Sequence, residues 1–406
     1  MNKHIIDKSS ISTFFIGFLI LMLSVLYGGR NNVFVLIFVM IPLLLNRRHL
    51  DGDVAIILLL LCGGYVFHIF GILTNGCDGS VLNLLNLYIP FILYIGRYQF
   101  YNGFKGMHYI ICVMNVFVNS VYIFNIILFG YTRETVHLLG ASVNLLASIN
   151  VLFICYHLFV IREEKDRRIF WTSNGLLIVS VICILLTLSR SMIAITIIVI
   201  ISYYAYLIHL QRKKRSGIQS FFKVIAFFSL IGIGGSVLYQ YLINNSRDFK
   251  RSVASFTYYF EIMDKVGIGH ARTVLWGNAL EKIQKNLFFG SGSSKTISSL
   301  GEALEAHNFI LEILLLGGVF GMVLYCIAYF WMFRSVLIKL KRECFFFLLI
   351  ISAYYTSNLF QPFISSSYGY NMLFGWIFVT MVVRKERKEQ GNDKKIIRLL
   401  HAISGV

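Results

Sequence analysis

The chain consists of long apolar runs separated by short polar or basic segments. These runs recur from Ile11 to Val383, and many hold 18 or more residues with few or no charges. An apolar helix of that length crosses a hydrocarbon core of about 30 Å. The runs lack the alternation of barrel strands, so helices must satisfy their backbone in lipid. The pattern predicts an all-α, polytopic integral membrane protein.

The apolar runs predict about 12 transmembrane helices, joined by short connections except for one long loop. The spans are expected at 11–28, 33–45, 54–73, 80–96, 107–129, 141–161, 171–188, 191–208, 221–243, 307–331, 344–360 and 368–383. The chain is thereby divided into helices 1–9 over 1–243, a long outer loop with an amphipathic helix over 244–306, helices 10–12 over 307–383, and a tail over 384–406.

The net charge of +18 is the one feature that would suggest a nucleic-acid partner. The basic residues, however, lie in short clusters between apolar runs, and only 14% of all residues are charged. This is the positive-inside pattern of membrane proteins, and it predicts no nucleic-acid binding. With both termini placed in the cytoplasm, the short outer loops carry only Arg30, Arg133 and Arg190. We expect a multi-pass membrane protein with both termini in the cytoplasm and a first span that is retained.

The seven cysteines predict neither a disulfide framework nor a metal site. Only Cys77 falls in a predicted outer loop, and no pair has the C-x-x-C spacing. The sequence also contains no H-E-x-x-H or P-loop pattern, and the outer loops have no D-x-D. We therefore expect no metal and no cofactor. The segment Gly290-Ser-Gly-Ser-Ser294 is interpreted as a flexible linker.

Arg190 interrupts an apolar stretch from Trp171 to Ile208 that is about twice the length of one span. Its position near the outer surface has two interpretations. It is either an arginine that extends to lipid headgroups or a fixed cation that faces a cavity. The positive-inside bias makes an arginine in so short an outer turn unexpected, which favours the second.

The long loop contains a predicted amphipathic helix from Thr273, as its N-cap, to about Lys285. Leu275, Ala279 and Ile283 share one face, so the helix is expected on the outer bilayer surface with Trp276 at the headgroups. Arg272 lies at its start, where the helix dipole already favours an anion. It is either a solvated loop residue or an anion ligand.

The chain re-enters the membrane at His307-Asn308-Phe309-Ile310-Leu311-Glu312. We expect His307 in the first helical turn, where the dipole keeps its imidazole neutral and basic. The alternative is an ordinary polar anchor. Glu312 lies in an apolar run, where a carboxylate is usually paired or functional, with Asn308 as its plausible partner. Two arginines and a histidine outside suggest diphosphate binding and proton abstraction without a metal.

Three strings in order around one long loop resemble the bacterial O-antigen polymerase and O-antigen ligase superfamily. The first is Leu186-Thr-Leu-Ser-Arg190-Ser, at the end of a span. The second is Arg272-Thr-Val-Leu-Trp276-x-x-Ala279-Leu with Asn286-x-x-Phe-Gly290-x-Gly292. The third is His307-Asn308-x-x-Leu311-Glu312-x-x-x-x-x-Gly318-x-x-Gly321. The resemblance covers roughly residues 180–325.

The resemblance implies a metal-independent glycosyltransferase at the outer face of the inner membrane that uses undecaprenyl-diphosphate-linked glycans. Membrane lipid and a chain-length regulator and flippase of the same pathway would be its partners. The implied catalytic residues are His307, Arg272 and Arg190, and the implied substrate-binding residues are Arg190, Arg272, Asn308, Glu312 and Trp276. The short stretch from Gly292 to Ala306 and the lack of a second histidine before His307 favour a polymerase over a ligase.

Three other functions are compatible with the sequence. One is an O-antigen ligase that transfers the glycan to lipid A-core. Another is a flippase or transporter of lipid-linked sugars, which usually shows internal repeats and charges at the membrane midplane. The third is a structural member of a polysaccharide assembly whose motifs are idle. A long outer loop and the lack of repeats favour an enzyme.

Overall fold

The computed structural model describes residues 52–75, 88–91, 93–95, 97, 104–130, 135–136, 141–164, 166–211, parts of 236–254, 270–298, 301–339, 344–359 and 370–386. Their helices are α1 (Gly52–Asn75), α2 (Phe104–Phe129), α3 (Val143–Glu163), α4 (Arg167–Thr187), α5 (Arg190–Gln211), α6 (His270–Lys285), α7 (Phe309–Lys339), α8 (Cys344–Asn358) and α9 (370–386). The strands are β1 (Thr135–Val136), β2 (Ala141–Ser142), β3 (Lys295–Ile297) and β4 (Ala303–Glu305).

Within this described part, six helices are long and apolar enough to cross a membrane: α1 to α5 and α7. The spans of α1 to α5 lie close to those predicted from the apolar runs, and α8 contributes a shorter apolar helix. The predicted spans 11–28 and 33–45 and most of 221–243 lie outside the described residues. The chain is a multi-pass, mostly helical membrane protein, as the hydrophobic pattern predicted.

Helix α3 forms the centre of the bundle. Every residue from Val151 to Val160 is buried, and α3 packs against α4, α5 and α8. The helix begins where the Ser142 hydroxyl accepts the Leu145 amide at 3.2 Å, so a side chain satisfies one of the N-terminal donors. An apolar helix enclosed on all sides belongs to the protein core rather than to the lipid surface.

Buried polar side chains connect the central helices. Asn115 of α2 donates to Ser180 of α4 at 3.0 Å, and its amide lies 3.0 Å from Nε2 of His157 on α3. All three side chains are fully buried. Because water cannot solvate such groups in a bilayer, they stabilise helix association when they bond to one another.

Charged residues gather at one end of the bundle. Arg384 and Lys385 of α9 pair with Glu164 and Glu163 at the end of α3, the second pair at 2.5 Å. Arg97 forms a further ion pair with Glu386. Residues 97, 163–164 and 384–386 belong to segments predicted to lie on the same, inner side, and the structure brings them together at one end.

The predicted single span 307–331 is wrong, because α7 is broken at Gly318, where φ is 60° and ψ is −162°. The rings of Phe309 and Tyr329 lie 5.3 and 5.6 Å from the ring of Tyr355. A straight helix would separate Phe309 and Tyr329 by about 30 Å. The short segment (Phe309–Gly317) therefore folds toward the long segment (Val319–Lys339).

The described residues are mostly helical, as the predicted all-α class requires, and they also include two short antiparallel strand pairs. Strands β1 and β2 pair before α3, and β3 and β4 form a hairpin in the long loop, with Thr296 opposite Leu304. Strands this short carry no hydrophobic alternation that a sequence pattern could show. Strand β3 is held by α6, because Asn278 and Lys282 donate to the carbonyls of Ile297 and Lys295.

Candidate functional site

Arg190 is the first residue of α5 and directly follows a tight turn from α4. Leu188 adopts a left-handed conformation with φ 49°, and the Thr187 hydroxyl donates to the carbonyl of Ile184 at 2.6 Å. The backbone amide of Ser189 donates to that same hydroxyl. The Arg190 side chain is half-buried, with its Nε atom shielded from solvent. The arginine thus projects from a rigid corner rather than from a loose loop.

Helix α6 begins earlier than predicted. It extends from His270 to Lys285, so Thr273 is an exposed residue inside the helix and not its N-cap. Arg272 lies in the first turn, as the sequence predicted. The exposed face carries Glu281 and Lys285, whose 2.8 Å hydrogen bond lowers the pKa of the carboxyl.

The apolar stripe of α6 was predicted correctly, but its partner was not. Leu275, Ala279 and Ile283 are buried at 4%, 0% and 5% exposure. Ala279 and Ile283 form a small core with Ala306 and Leu315 of the same chain. The helix therefore lies on the short segment of α7 and not with this face in the bilayer surface. Its amphipathic pattern reflects protein packing.

Trp276 fixes the start of the short segment. Its indole N–H donates to the carbonyl oxygen of Ala306 at 2.8 Å. Trp276 is half-buried against the backbone directly before His307. Arg272 is one helical turn before Trp276, so the same contact brings the first turn of α6 to the His307 segment.

His307 does not lie in a helical turn, as was expected. It is half-buried and adopts a left-handed backbone conformation with φ 51°. Such a conformation costs a non-glycine residue about 1–2 kcal/mol. It is imposed from both sides, by the Trp276 hydrogen bond to Ala306 and by the start of α7 at Phe309. A strained, constrained histidine beside a fixed loop is a common feature of functional sites.

Asn308 caps α7. Its Oδ1 accepts the backbone amides of Ile310 at 3.0 Å and Leu311 at 3.4 Å. Asn308, predicted as a substrate-binding residue, thus has a structural task that the sequence analysis did not assign. Glu312, one turn further, is fully buried. A buried carboxylate is costly unless its surroundings stabilise it.

The segment Gly290–Ser294 is not a flexible linker, as the sequence suggested. All five residues are buried and lie against the break in α7. The Ser291 amide and hydroxyl donate to the Leu315 carbonyl at 2.6 and 2.9 Å. The amides of Val319 and Phe320 donate to the carbonyls of Leu287 and Phe288. The loop therefore provides hydrogen-bond partners for backbone groups that lose their intrahelical partners at the break.

Glycines make this close packing feasible. Gly290 has φ 75°, and a Cβ there would lie 2.6 Å from the Gly318 amide nitrogen. Gly71 of α1 fits against the same loop, since a Cβ would lie 2.5 Å from the Phe289 carbonyl oxygen. The pair Gly317-Gly318 within an apolar run was the signal for the break.

The structure thus joins two of the three predicted motifs. The described residues of 270–317 form one packed unit in which Arg272, Trp276, His307, Asn308 and Glu312 belong to adjoining elements. Arg190 lies at the start of α5, which packs against α3 and α8. Among the described residues, no three histidine, cysteine or acidic side chains are grouped to hold a metal ion.

The comparison with known families bears on this arrangement. Residues 175–326 match the family model described as O-antigen ligase. The matched segment covers most of α4, all of α5 and α6, and the short segment of α7 with the start of the long segment. The resemblance predicted from the three motifs is confirmed, and an O-antigen ligase or polymerase type of function is supported. A comparison with curated proteins found no match.

Proposed function

We propose that the protein is a surface-polysaccharide polymerase that joins undecaprenyl-diphosphate-linked oligosaccharide repeat units at the outer face of the bacterial inner membrane. The observation that carries the proposal is the unit of residues 270–317, in which Trp276 holds the first turn of α6 against the His307 segment. This places a turn containing Arg272 beside a half-buried histidine, within the segment that matches the family.

The proposed reaction forms one glycosidic bond and breaks one sugar–phosphate bond. The acceptor hydroxyl oxygen attacks the anomeric carbon of the donor, and the bond from that carbon to the diphosphate oxygen breaks. His307 takes the hydroxyl proton as general base. The lipid diphosphate leaves with the bonding electrons, and Arg190 and Arg272 stabilise its growing charge. Arginine suits this task because its planar fork matches phosphate oxygens and stays charged at any working pH.

Two features support the assignment of roles. A base at the start of α7 meets the positive end of the helix dipole, which favours the neutral imidazole that a general base requires. The first turn of α6 also favours an anion, because a helix N-terminus presents backbone N–H groups and the positive end of the helix dipole. The buried Glu312 and the cap Asn308 would contact the bound sugars or hold the His307 turn.

The test is polymerisation by the purified protein in vesicles without an ion gradient. The substrate is a synthetic repeat unit on a polyprenyl diphosphate, and the product is a ladder of lipid-linked oligomers on a gel. A ladder that disappears in His307→Ala supports the proposal. Glycan transferred only to added lipid A-core would indicate the ligase instead. Movement of the repeat unit across the bilayer without a new bond would indicate the flippase, and both outcomes would refute a polymerase.

A further inference from the structure

His68 of α1 lies directly over the break in α7, outside the segment that matches the family. Its imidazole is 1% exposed. A Cβ at Gly317 would lie 2.4 Å from the Cε1 and Nδ1 atoms of the ring, and one at Gly321 would lie 3.3 Å from Cε1. The ring therefore occupies space that only glycines at these positions leave open.

The imidazole also lies beside a backbone group that the break exposes. The backbone of Leu316, near the end of the short segment, is within reach of the ring, and its carbonyl oxygen is 3.2 Å from the position of a Cβ on Gly71, about one turn along α1 from His68. A continuing helix would supply an amide four residues later to each carbonyl, and the turn at Gly318 removes that partner. The Ser291 hydroxyl donates a hydrogen bond to the carbonyl of Leu315, which lies next to the same break. An unpaired carbonyl in this apolar setting would cost about 1–3 kcal/mol.

We propose that His68 is a positioning residue that fixes the short segment and thereby the geometry of His307 at its start. The proposal rests on the proposed function, since His307 is the general base there. The short segment is held at its start by Trp276 and Asn308, and at its end by Ser291 and His68. Loss of the contact at the end lets the segment shift along its axis, and a shift of about 1 Å at a catalytic group costs about 10²-fold in rate.

An ordinary packing residue would behave differently from a hydrogen-bonding one. His68→Leu keeps most of the volume and removes the donor, whereas His68→Gln keeps an N–H donor of similar reach. His68→Ala removes the donor without adding bulk, and it replaces the leucine variant if that protein does not purify. His209→Leu is the matched control, because His209 is exposed near the end of α5.

The first readout is amide hydrogen exchange of the purified proteins, which needs no substrate. We expect faster exchange across residues 286–320 in His68→Leu, with near-parental exchange in His68→Gln and in the control. The peptides of α3 should be unchanged in all variants, because its residues 151–160 are buried far along the sequence from the break. Unchanged exchange in the leucine and alanine variants, or equal acceleration in the glutamine variant, would refute the hydrogen-bonding role.

The second readout is turnover in the vesicle assay. We expect kcat to fall about tenfold or more in His68→Leu with KM for the lipid-linked donor nearly unchanged, and the glutamine variant to recover most of the rate. A loss that appears only in KM, or unchanged turnover despite faster exchange, would overturn the positioning role. If the parent protein forms no polymer, the proposed function fails, while hydrogen exchange still decides whether His68 holds the break.

Discussion

The indole N–H of Trp276 donates to the carbonyl oxygen of Ala306 at 2.8 Å, and this hydrogen bond joins α6 to the residue before His307. The two residues are separated by a hairpin and a buried glycine–serine loop. Their contact converts a long loop into a support for the start of α7. The first prediction concerns this hydrogen bond.

Trp276→Phe should lower polymerisation several-fold with little change in thermal stability. The phenyl ring keeps the packing, but the Ala306 carbonyl loses a partner worth about 0.5–1.5 kcal/mol. Trp171→Phe is the matched control, because Trp171 is 70% exposed and should tolerate the change. The two variants are compared by turnover and by melting temperature. Equal turnover in both would show that the Trp276 contact does not position the site.

Gly318→Ala should destabilise the protein and abolish activity. Gly318 has φ 60°, which costs alanine about 1–2 kcal/mol, and a Cβ would lie 2.4 Å from the Phe288 carbonyl group. Gly277→Ala is the control in α6, where nothing lies within 4 Å of the added methyl group. It should stabilise its helix by about 0.5–1 kcal/mol. Thermal unfolding of both variants in one detergent tests the pair, and a Gly318→Ala protein of parental stability would argue against the break.

Alanine at Arg190, Arg272 or His307 should lower the rate by about 10²–10³ in each case. Arg272→Lys should retain partial activity, because lysine keeps the charge and loses the planar fork. His307→Ala should impair diphosphate binding less than either arginine variant. Arg168→Ala is the control, since that arginine is exposed at the start of α4. Parental rates in all three alanine variants at normal expression would refute the assigned roles.

Lys385→Ala should lower thermal stability markedly, because it removes the cation that lies 2.5 Å from the Glu163 carboxylate in a nearly buried setting. Breaking such a pair costs about 3–5 kcal/mol. Lys285→Ala, which breaks the exposed pair with Glu281, should have no measurable effect. Melting curves of the two variants provide the comparison. Similar melting temperatures would mean that the charged end of the bundle contributes little to stability.

Membrane orientation is predicted from the distribution of basic residues. A reporter fused after Arg215 or Arg342 should be cytoplasmic, and one within residues 246–300 should be on the outer side. The ion pairs that bring residues 163–164 and 384–386 to one end require these segments to share a side. A cytoplasmic signal from the long loop would place residues 270–306 on the wrong side for the proposed substrate.

Hydrophobic length and helical periodicity predicted much of the fold. The spans of α1 to α5 and the buried stripe of Leu275, Ala279 and Ile283 follow from patterns within 20 residues. The same patterns could not show what the stripe packs against, because burial in protein and burial in lipid select the same side chains. The β3–β4 hairpin was missed for a related reason, since it depends on contacts made by α6.

The site was predicted as three separate strings, and what joins them could not be read from one sequence. The bond from Trp276 to Ala306 and the fit of His68 over Gly317 depend on positions far apart in the chain. The Gly290–Ser294 segment was misinterpreted because glycine and serine suit both a flexible linker and a tight, buried loop. A buried loop can be distinguished from a flexible linker by its hydrogen bonds to the backbone at a helix break, but only once the break is known.

The break at Gly318 also changes how the length of an apolar run should be understood. The long segment of α7 rises by about 31 Å, which already matches a hydrocarbon core of about 30 Å. The nine residues before it add nothing to the crossing, yet they are just as apolar, because Ile313, Leu315 and Leu316 are fully enclosed by protein. One uninterrupted apolar stretch of sequence therefore covers two environments. Its first part is buried in the protein interior, and its second part crosses the lipid.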